Sequence, residues 1–256
     1  MSIIYKGVVV GVTLGTVSPP TPTPIPWASG TDAEIASALQ AAHAGTIDLQ
    51  RDFGWAVGDT RRISVGQFTA LNTTVSAQYV DIAISSFDDY NSAGAVLQFD
   101  FVQALTPAVQ MNSSNTNSGG YAASSMYTSI IPNLIDALPE WLKNALLTFD
   151  VLVSAGGGSS TIITVSGNKL ALRSEIEVLG SITYSFSGEG QHISGYYNDS
   201  TRKIKAIGIG GGQGNGYWFR SPYKNDSVRF CHEYNAGASY ATPSTYTRGL
   251  APFGCL

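Results

Sequence analysis

Beyond Gly54, apolar residues recur at every second position in a succession of short runs. Ile63 and Val65 begin the pattern, followed by Val80, Ile82 and Ile84, then Leu97, Phe99 and Phe101, then Phe149, Val151 and Val153. Alternate side chains of an extended backbone point to opposite faces, so each run is expected to be a half-buried strand. The chain has 256 residues, enough for one large core. Charged residues form only 12% of it, against a usual share of about 25%, while 28 Gly and 13 Tyr supply turns and flat, half-buried side chains. That balance fits an extracellular or virion β protein. The net charge of -4 arises from 18 acidic and 14 basic residues without a block of either sign, so neither nucleic acid nor an anionic membrane is expected as a partner.

Upstream of Gly54 the chain is organised differently. Ile3 to Val17 is rich in β-branched residues and punctuated by Gly7, Gly11 and Gly15, and it runs into prolines instead of a small-residue cleavage site, so it reads as a strand and not as a signal peptide. Ser18 to Pro26 holds five prolines in nine residues, which fixes backbone angles and removes amide donors, and predicts an extended, semi-rigid spacer. An apolar strand isolated in this way is not stable alone, so it is expected either to pair with another chain or dock into a larger assembly, or to be a frayed terminus. Thr31 and Glu34 have the spacing of a capping box, Ile35, Ala38, Leu39 and Ala42 follow on one helical face, and Gly45 stands where a left-handed terminator belongs. The expected organisation is therefore an attachment strand over 1–17, a linker over 18–26, a short helical adaptor over 27–54 and a strand-rich domain over 55–256.

Within that domain, Tyr121 to Ile131 reads as a helix interrupted by Pro132, and Pro139-Glu140 opens a second helix over 139–147. Ala155 to Ser160, with three consecutive glycines, reads as a hairpin loop. The fold class is α+β, strand-rich with a few short helices.

The search for chemistry returns little. The glycine run 208–216 contains no complete phosphate-loop register and reads as a flexible connection. Cys231 and Cys255 are too few for a zinc site, and a disulfide between them and two free thiols both stay open. Adjacent Cys231 and His232 would face opposite sides of a strand, which disfavours a nucleophile–base dyad, and Ala236 stands where a zinc-helix motif starting at His232-Glu233 needs its second histidine. Asp88-Asp89 read as turn formers, and Glu175 with Glu177 as a solvated strand face, although two carboxylates across a cleft could serve glycoside hydrolysis. No catalytic residue, metal or cofactor is expected. The stretch from Tyr217 to Leu256 instead carries the residue mixture of binding loops, in which Tyr gives contact area at low entropic cost and Ser and Asn adapt their hydrogen bonds, although the same residues also make ordinary exposed loops. Tyr223, Asn225, Tyr234, Asn235, Ser239, Tyr240 and Tyr246 are the candidate ligand contacts, with Ser244 in the same stretch.

Tyr217-Trp218-Phe219-Arg220-Ser221-Pro222, followed by Arg248-Gly249-Leu250-Ala251-Pro252-Phe253, resembles a family of uncharacterised domains of gut bacteriophage virion proteins and bacterial surface proteins. Trp55 to Asp59, Met111-Asn112, Asn117 to Tyr121, Leu138-Pro139-Glu140 and Leu170 to Glu175 fit the family's other blocks in order. Two departures stand out: Leu250-Ala251 replaces the family's usual valine-arginine, and Cys255 lies beyond the last proline. The family is similar to C-type-lectin-like domains, and the resemblance implies that fold, with a braced, loop-bearing face and no implied calcium. The family pattern does not cover residues 1–26, but an apolar strand followed by a proline spacer looks like the attachment segment of a phage tail fibre or head decoration, and with the resemblance it implies a non-enzymatic virion protein. Such a protein would form a homo-oligomer, meet other virion proteins through residues 1–17 and bind a host-surface glycan or protein. The alternatives are a decoration protein that only touches neighbouring subunits, or a surface glycosidase. Trp218, Arg220, Pro222 and Pro252 read as scaffold that closes the fold.

Overall fold

A computed structural model describes residues 2–5, 8–11, 23–206, 216–234 and 237–256. Near the N-terminus, the expected single strand is an antiparallel hairpin of Ser2–Tyr5 with Val8–Gly11. Most of the proline spacer lies outside the described residues, as do Asn235 and the glycine run up to residue 215.

A five-stranded antiparallel sheet runs in the order Leu170–Ala171, Phe253–Cys255, Gln98–Phe101, Gln78–Ser86 and Thr60–Val65. The last strand in sequence is thus an inner strand of the sheet. Leu256 completes this closure by exchanging backbone bonds with Leu97, 2.9 Å in one direction and 3.1 Å in the other. A separate sheet of three strands, Trp218–Pro222, Arg229–Tyr234 and Ala238–Pro243, carries the surface described below. Phe149–Gly156 and Ser159–Asn168 form the long hairpin expected at the glycines, with left-handed Gly157 and Gly158 at its turn.

The period-two reading holds for Thr60–Val65, whose residues alternate exposed and buried, but Gln98–Phe101 is buried on both faces. The positions expected to meet solvent there hold Gln98 and Asp100, and they face a buried set of charges. Asp100 accepts from Arg173 at 2.8 Å and from the Tyr197 hydroxyl at 2.7 Å. Glu177 accepts from Arg220 at 2.6 and 2.8 Å and from the Tyr90 hydroxyl at 2.5 Å. Burial alone would raise both carboxyls, but the facing guanidinium groups outweigh it and hold each below the usual carboxylate range.

This placement corrects the reading of Glu175 and Glu177 as a solvated strand face. They open the helix Glu175–Leu179 and are fully buried, and Glu177 forms a capping box with Ser174. Three further expectations change. Pro132 lies in the first turn of the helix Ile131–Ala137 and does not interrupt one, because a proline there removes an amide that has no partner anyway. The turns ahead of it, Tyr121–Ala123 and Met126–Ile130, are 3₁₀ and π. The helix after Pro139 is Glu140–Ala145, shorter than 139–147. Cys231 and Cys255 are both buried free thiols.

The helix Asp32–His43 forms with its capping box, and left-handed Gly45 follows it. It does not stand apart as an adaptor. Ile35, Ala38 and Leu39 share one core with Leu256 and the residues between, Trp27 meets Trp55 edge-on at 5.0 Å, and buried Arg61 donates to the Trp27 and Gly30 carbonyls at 3.1 and 2.6 Å. A short helix not expected from sequence, Leu49–Phe53, leads out of it through Gly54.

Candidate functional site

The three-stranded sheet places directly opposed residues on the same face, and its register pairs His232 with Tyr240, Tyr234 with Ala238 and Trp218 with His232. That face runs from buried Trp218 through buried His232 to Tyr240 and Tyr234, which are 48% and 45% exposed. The rings continue beyond the sheet. Tyr234 lies 5.6 Å from Tyr240, Tyr240 lies 5.9 Å from Tyr184, and Tyr184 lies 5.8 Å from Tyr223. The result is an open strip of tyrosines, ended at Tyr223 by the Arg229 guanidinium 4.4 Å above its ring.

Buried polar groups hold the strip from behind. The Glu175 carboxylate gathers the backbone amides of Thr183, Tyr184 and Ser185 at 2.8 to 3.1 Å, which fixes the turn carrying Tyr184. The Asn117 amide donates to the Arg229, Asp226 and Tyr223 carbonyls at 2.7, 3.1 and 3.4 Å, while its oxygen accepts from Gly157 at 2.8 Å. One side chain thereby ties the loop bearing Tyr223 and Asn225 to the hairpin turn. Asp226 accepts from the Val228 and Arg229 amides at 3.0 Å each; partial burial pushes its carboxyl up, and these amides and the Arg229 side chain bring it below the usual range.

His232 sits under the strip with a defined tautomer. Its Nδ1 is 2.6 Å from the Glu233 carbonyl, which only accepts, so Nδ1 carries the proton and the Nε2 lone pair faces Arg248 Nε at 3.5 Å. Burial lowers the imidazole to about 4, so it is neutral at physiological pH.

The sequence-expected contacts divide as follows. Tyr223, Tyr234 and Tyr240 come together in the strip, and Asn225 joins them by donating to the Tyr223 hydroxyl at 3.0 Å. Tyr246 is 56% exposed in the turn after Pro243, close enough for its phenol to act on Arg248 together with that of Tyr234. Ser239 pairs with Glu233 and so points to the opposite face. Ser244 is buried, bonded to the Ser114 carbonyl and the Thr116 amide at 3.0 Å each. Asn235 lies outside the described residues. Sequence reasoning missed Tyr184, which comes from a distant loop, and the cations Lys224 and Arg248. Only Arg248 gave a signal, as the first residue of a motif read as scaffold.

A cleft of about 770 Å³ lies elsewhere, between the 85–91 turn and the 188–195 segment, with Gln98 and Glu177 among its lining residues. Its carboxylates are committed to structure: Asp88 accepts from Ser86, Asp89 from the Ala95 amide, and Glu177 from Arg220 and Tyr90. With these carboxylates engaged by the protein's own donors, the tyrosine strip is the stronger candidate. No family model, curated protein or solved structure matches the chain.

Proposed function

We propose that this chain is a structural protein of a bacteriophage virion, a tail fibre or head decoration, whose C-type-lectin-like domain binds a host-surface glycan or protein through the tyrosine strip. One observation carries the reading: exposed Tyr234 and Tyr240 form a continuous ring surface with Tyr184 and Tyr223, held from behind by Glu175 and Asn117. Exposed apolar residues scattered singly are ordinary, whereas a contiguous ring surface on a rigid support marks an interaction site. Tyrosine suits that role because a ring loses little rotamer freedom on binding and its hydroxyl still hydrogen-bonds. The lectin-like reading is supported by a late strand that closes the main sheet and by a small second sheet that bears the site. It also draws on the convergence of the resembling blocks, since Asn117, Arg173, Glu175 and Arg220 all enter the buried polar support. In this reading the N-terminal segment and its proline spacer attach the domain to other virion proteins.

The test is replacement of Tyr234, Tyr240 and Tyr246 together by Ala. The variant is expected to keep the wild-type circular dichroism spectrum and unfolding midpoint, since all three are exposed, while adsorption to host cells falls. Unchanged adsorption refutes the site, and normal adsorption by particles lacking the protein points to a decoration protein that only touches neighbouring subunits.

A further inference from the structure

The strip carries cations that the protein does not neutralise. Seven of the arginines hold a carboxylate within ion-pair distance, and Arg248 is the one that does not. Arg248 is half-buried, with Nε toward the neutral His232 ring and Nη1 donating to the Thr247 carbonyl at 2.8 Å. Lys224, beside Tyr184 and Tyr223, likewise donates only to a carbonyl, that of Thr183, at 2.7 Å. All 18 acidic residues belong to the described part of the chain, so no acidic side chain remains elsewhere to answer either cation.

An unanswered, half-buried guanidinium is unfavourable, because it loses hydration without gaining a counter-ion. Its proton affinity records this. Burial lowers Arg248 below an ordinary guanidinium, whereas Arg51, Arg62 and Arg229 are each raised by an aspartate partner. Orientation adds to the case. His232 and Thr247 hold Nε and Nη1, and Nη2, with no hydrogen-bond partner among the described residues, is left for an incoming group. In a chain of net charge -4, a ring surface with unpaired cations toward both ends is a local inversion of sign.

We propose that the strip takes an acidic saccharide, with sugar rings laid against Tyr234, Tyr240 and Tyr184 and an anionic group on Arg248, a second anion along the same chain meeting Lys224. This identification of the ligand rests on the binding role proposed above. Flat exposed rings without a deep apolar pocket fit the C–H faces of pyranoses better than the aliphatic side chains of a peptide, and the fork of an arginine fits a carboxylate or phosphate.

The test presents the whole protein to immobilised pairs in which one member lacks the anionic charge: oligogalacturonate and its methyl ester, sialylated and desialylated oligosaccharides, and phosphorylated and dephosphorylated mannan. Polyglutamate serves as the acidic-peptide arm. The acidic member of at least one pair is expected to bind about tenfold more tightly than its neutral partner, the scale of one charge-assisted contact, and to weaken as salt rises. The responding pair tells carboxylate from phosphate. Arg248→Gln and Lys224→Gln should each reduce that preference, and Arg248→Lys should fall between, with unfolding midpoints unchanged. Equal binding to both members, binding of polyglutamate alone, a charge preference untouched by Arg248→Gln, or no saccharide binding at all overturns the proposal. In each case the adsorption of the tyrosine variant decides the binding role separately.

Discussion

Arg220→Lys tests the claim that a single guanidinium holds the support of the strip together. Arg220 is fully buried and spends all its donors: Nε on the Leu152 carbonyl at 3.0 Å, Nη1 on Leu172 and Glu177 at 2.9 and 2.6 Å, and Nη2 on Glu177 and the Glu189 carbonyl at 2.8 and 2.6 Å. These acceptors come from the long hairpin, the entry to the Glu175–Leu179 helix, the helix itself and the loop beyond it. A lysine keeps the charge opposite Glu177 but brings three donors instead of five, so about two buried acceptors go unmet. Each unmet acceptor costs about 1–3 kcal/mol, giving a loss of about 2–6 kcal/mol out of a typical domain stability of 5–15. The larger penalty of stranding a buried carboxylate, about 3–5 kcal/mol, is not added because the positive charge remains.

The assay is urea unfolding followed by tryptophan fluorescence, with Arg62→Lys as control. Arg62 is mostly exposed and meets Asp81 at 2.9 Å, a pair worth less than about 1 kcal/mol, so its lysine variant should unfold near the wild-type midpoint. A loss below about 1 kcal/mol for Arg220→Lys would mean that the fork geometry is immaterial and that a point charge suffices, which refutes the reasoning.

Two further predictions concern the same support. Glu189 is buried and, among the described residues, only the Ser154 amide donates to it in good geometry, at 2.8 Å; burial, partly offset by Ser221, Ser154 and Arg220, raises its carboxyl to about 7. A folded-state value above the unfolded one favours the fold below the unfolded value near 4.5, and this contribution disappears as pH rises through 7, a change of about 3 kcal/mol. Glu189→Gln should therefore flatten the fall in unfolding midpoint between pH 5 and 8, and an unaltered slope would assign that fall to another group. Gly156 has φ of +70°, and a Cβ there would stand 1.8 Å from the Asn117 carbonyl oxygen, a backbone atom that cannot yield. Gly156→Ala should cost more than about 3 kcal/mol, and a midpoint close to wild type in thermal unfolding would show that the hairpin and the Asn117 loop are less tightly joined than described.

The strands were legible because period two is a local property, and so was the helix after Thr31, whose capping box is written in four consecutive residues. Ser174 to Glu177 carries the same four-residue signature, yet the two glutamates within it also stand two apart, and that spacing was taken for the face of a strand. The ring-bearing stretch was legible from composition alone. Its arrangement was not, because Tyr184 reaches Tyr223 and Tyr240 only through a carboxylate that collects three amides eight to ten residues away from it. The low charged fraction gave no sign of where the charges lie: Arg61, Asp100, Arg173, Glu175, Glu177, Glu189, Lys205, Arg220 and Glu233 are all buried. A charge that has left the surface needs partners from distant segments, and no window of sequence shows which segments those are. Most of these buried charges brace the fold and the strip, so the residues that shape the site look from sequence like ordinary surface charges. In the strip the logic is reversed: Lys224 and Arg248 have carbonyl or imidazole neighbours but no carboxylate within ion-pair distance, and that imbalance is the observation from which an acidic ligand is proposed.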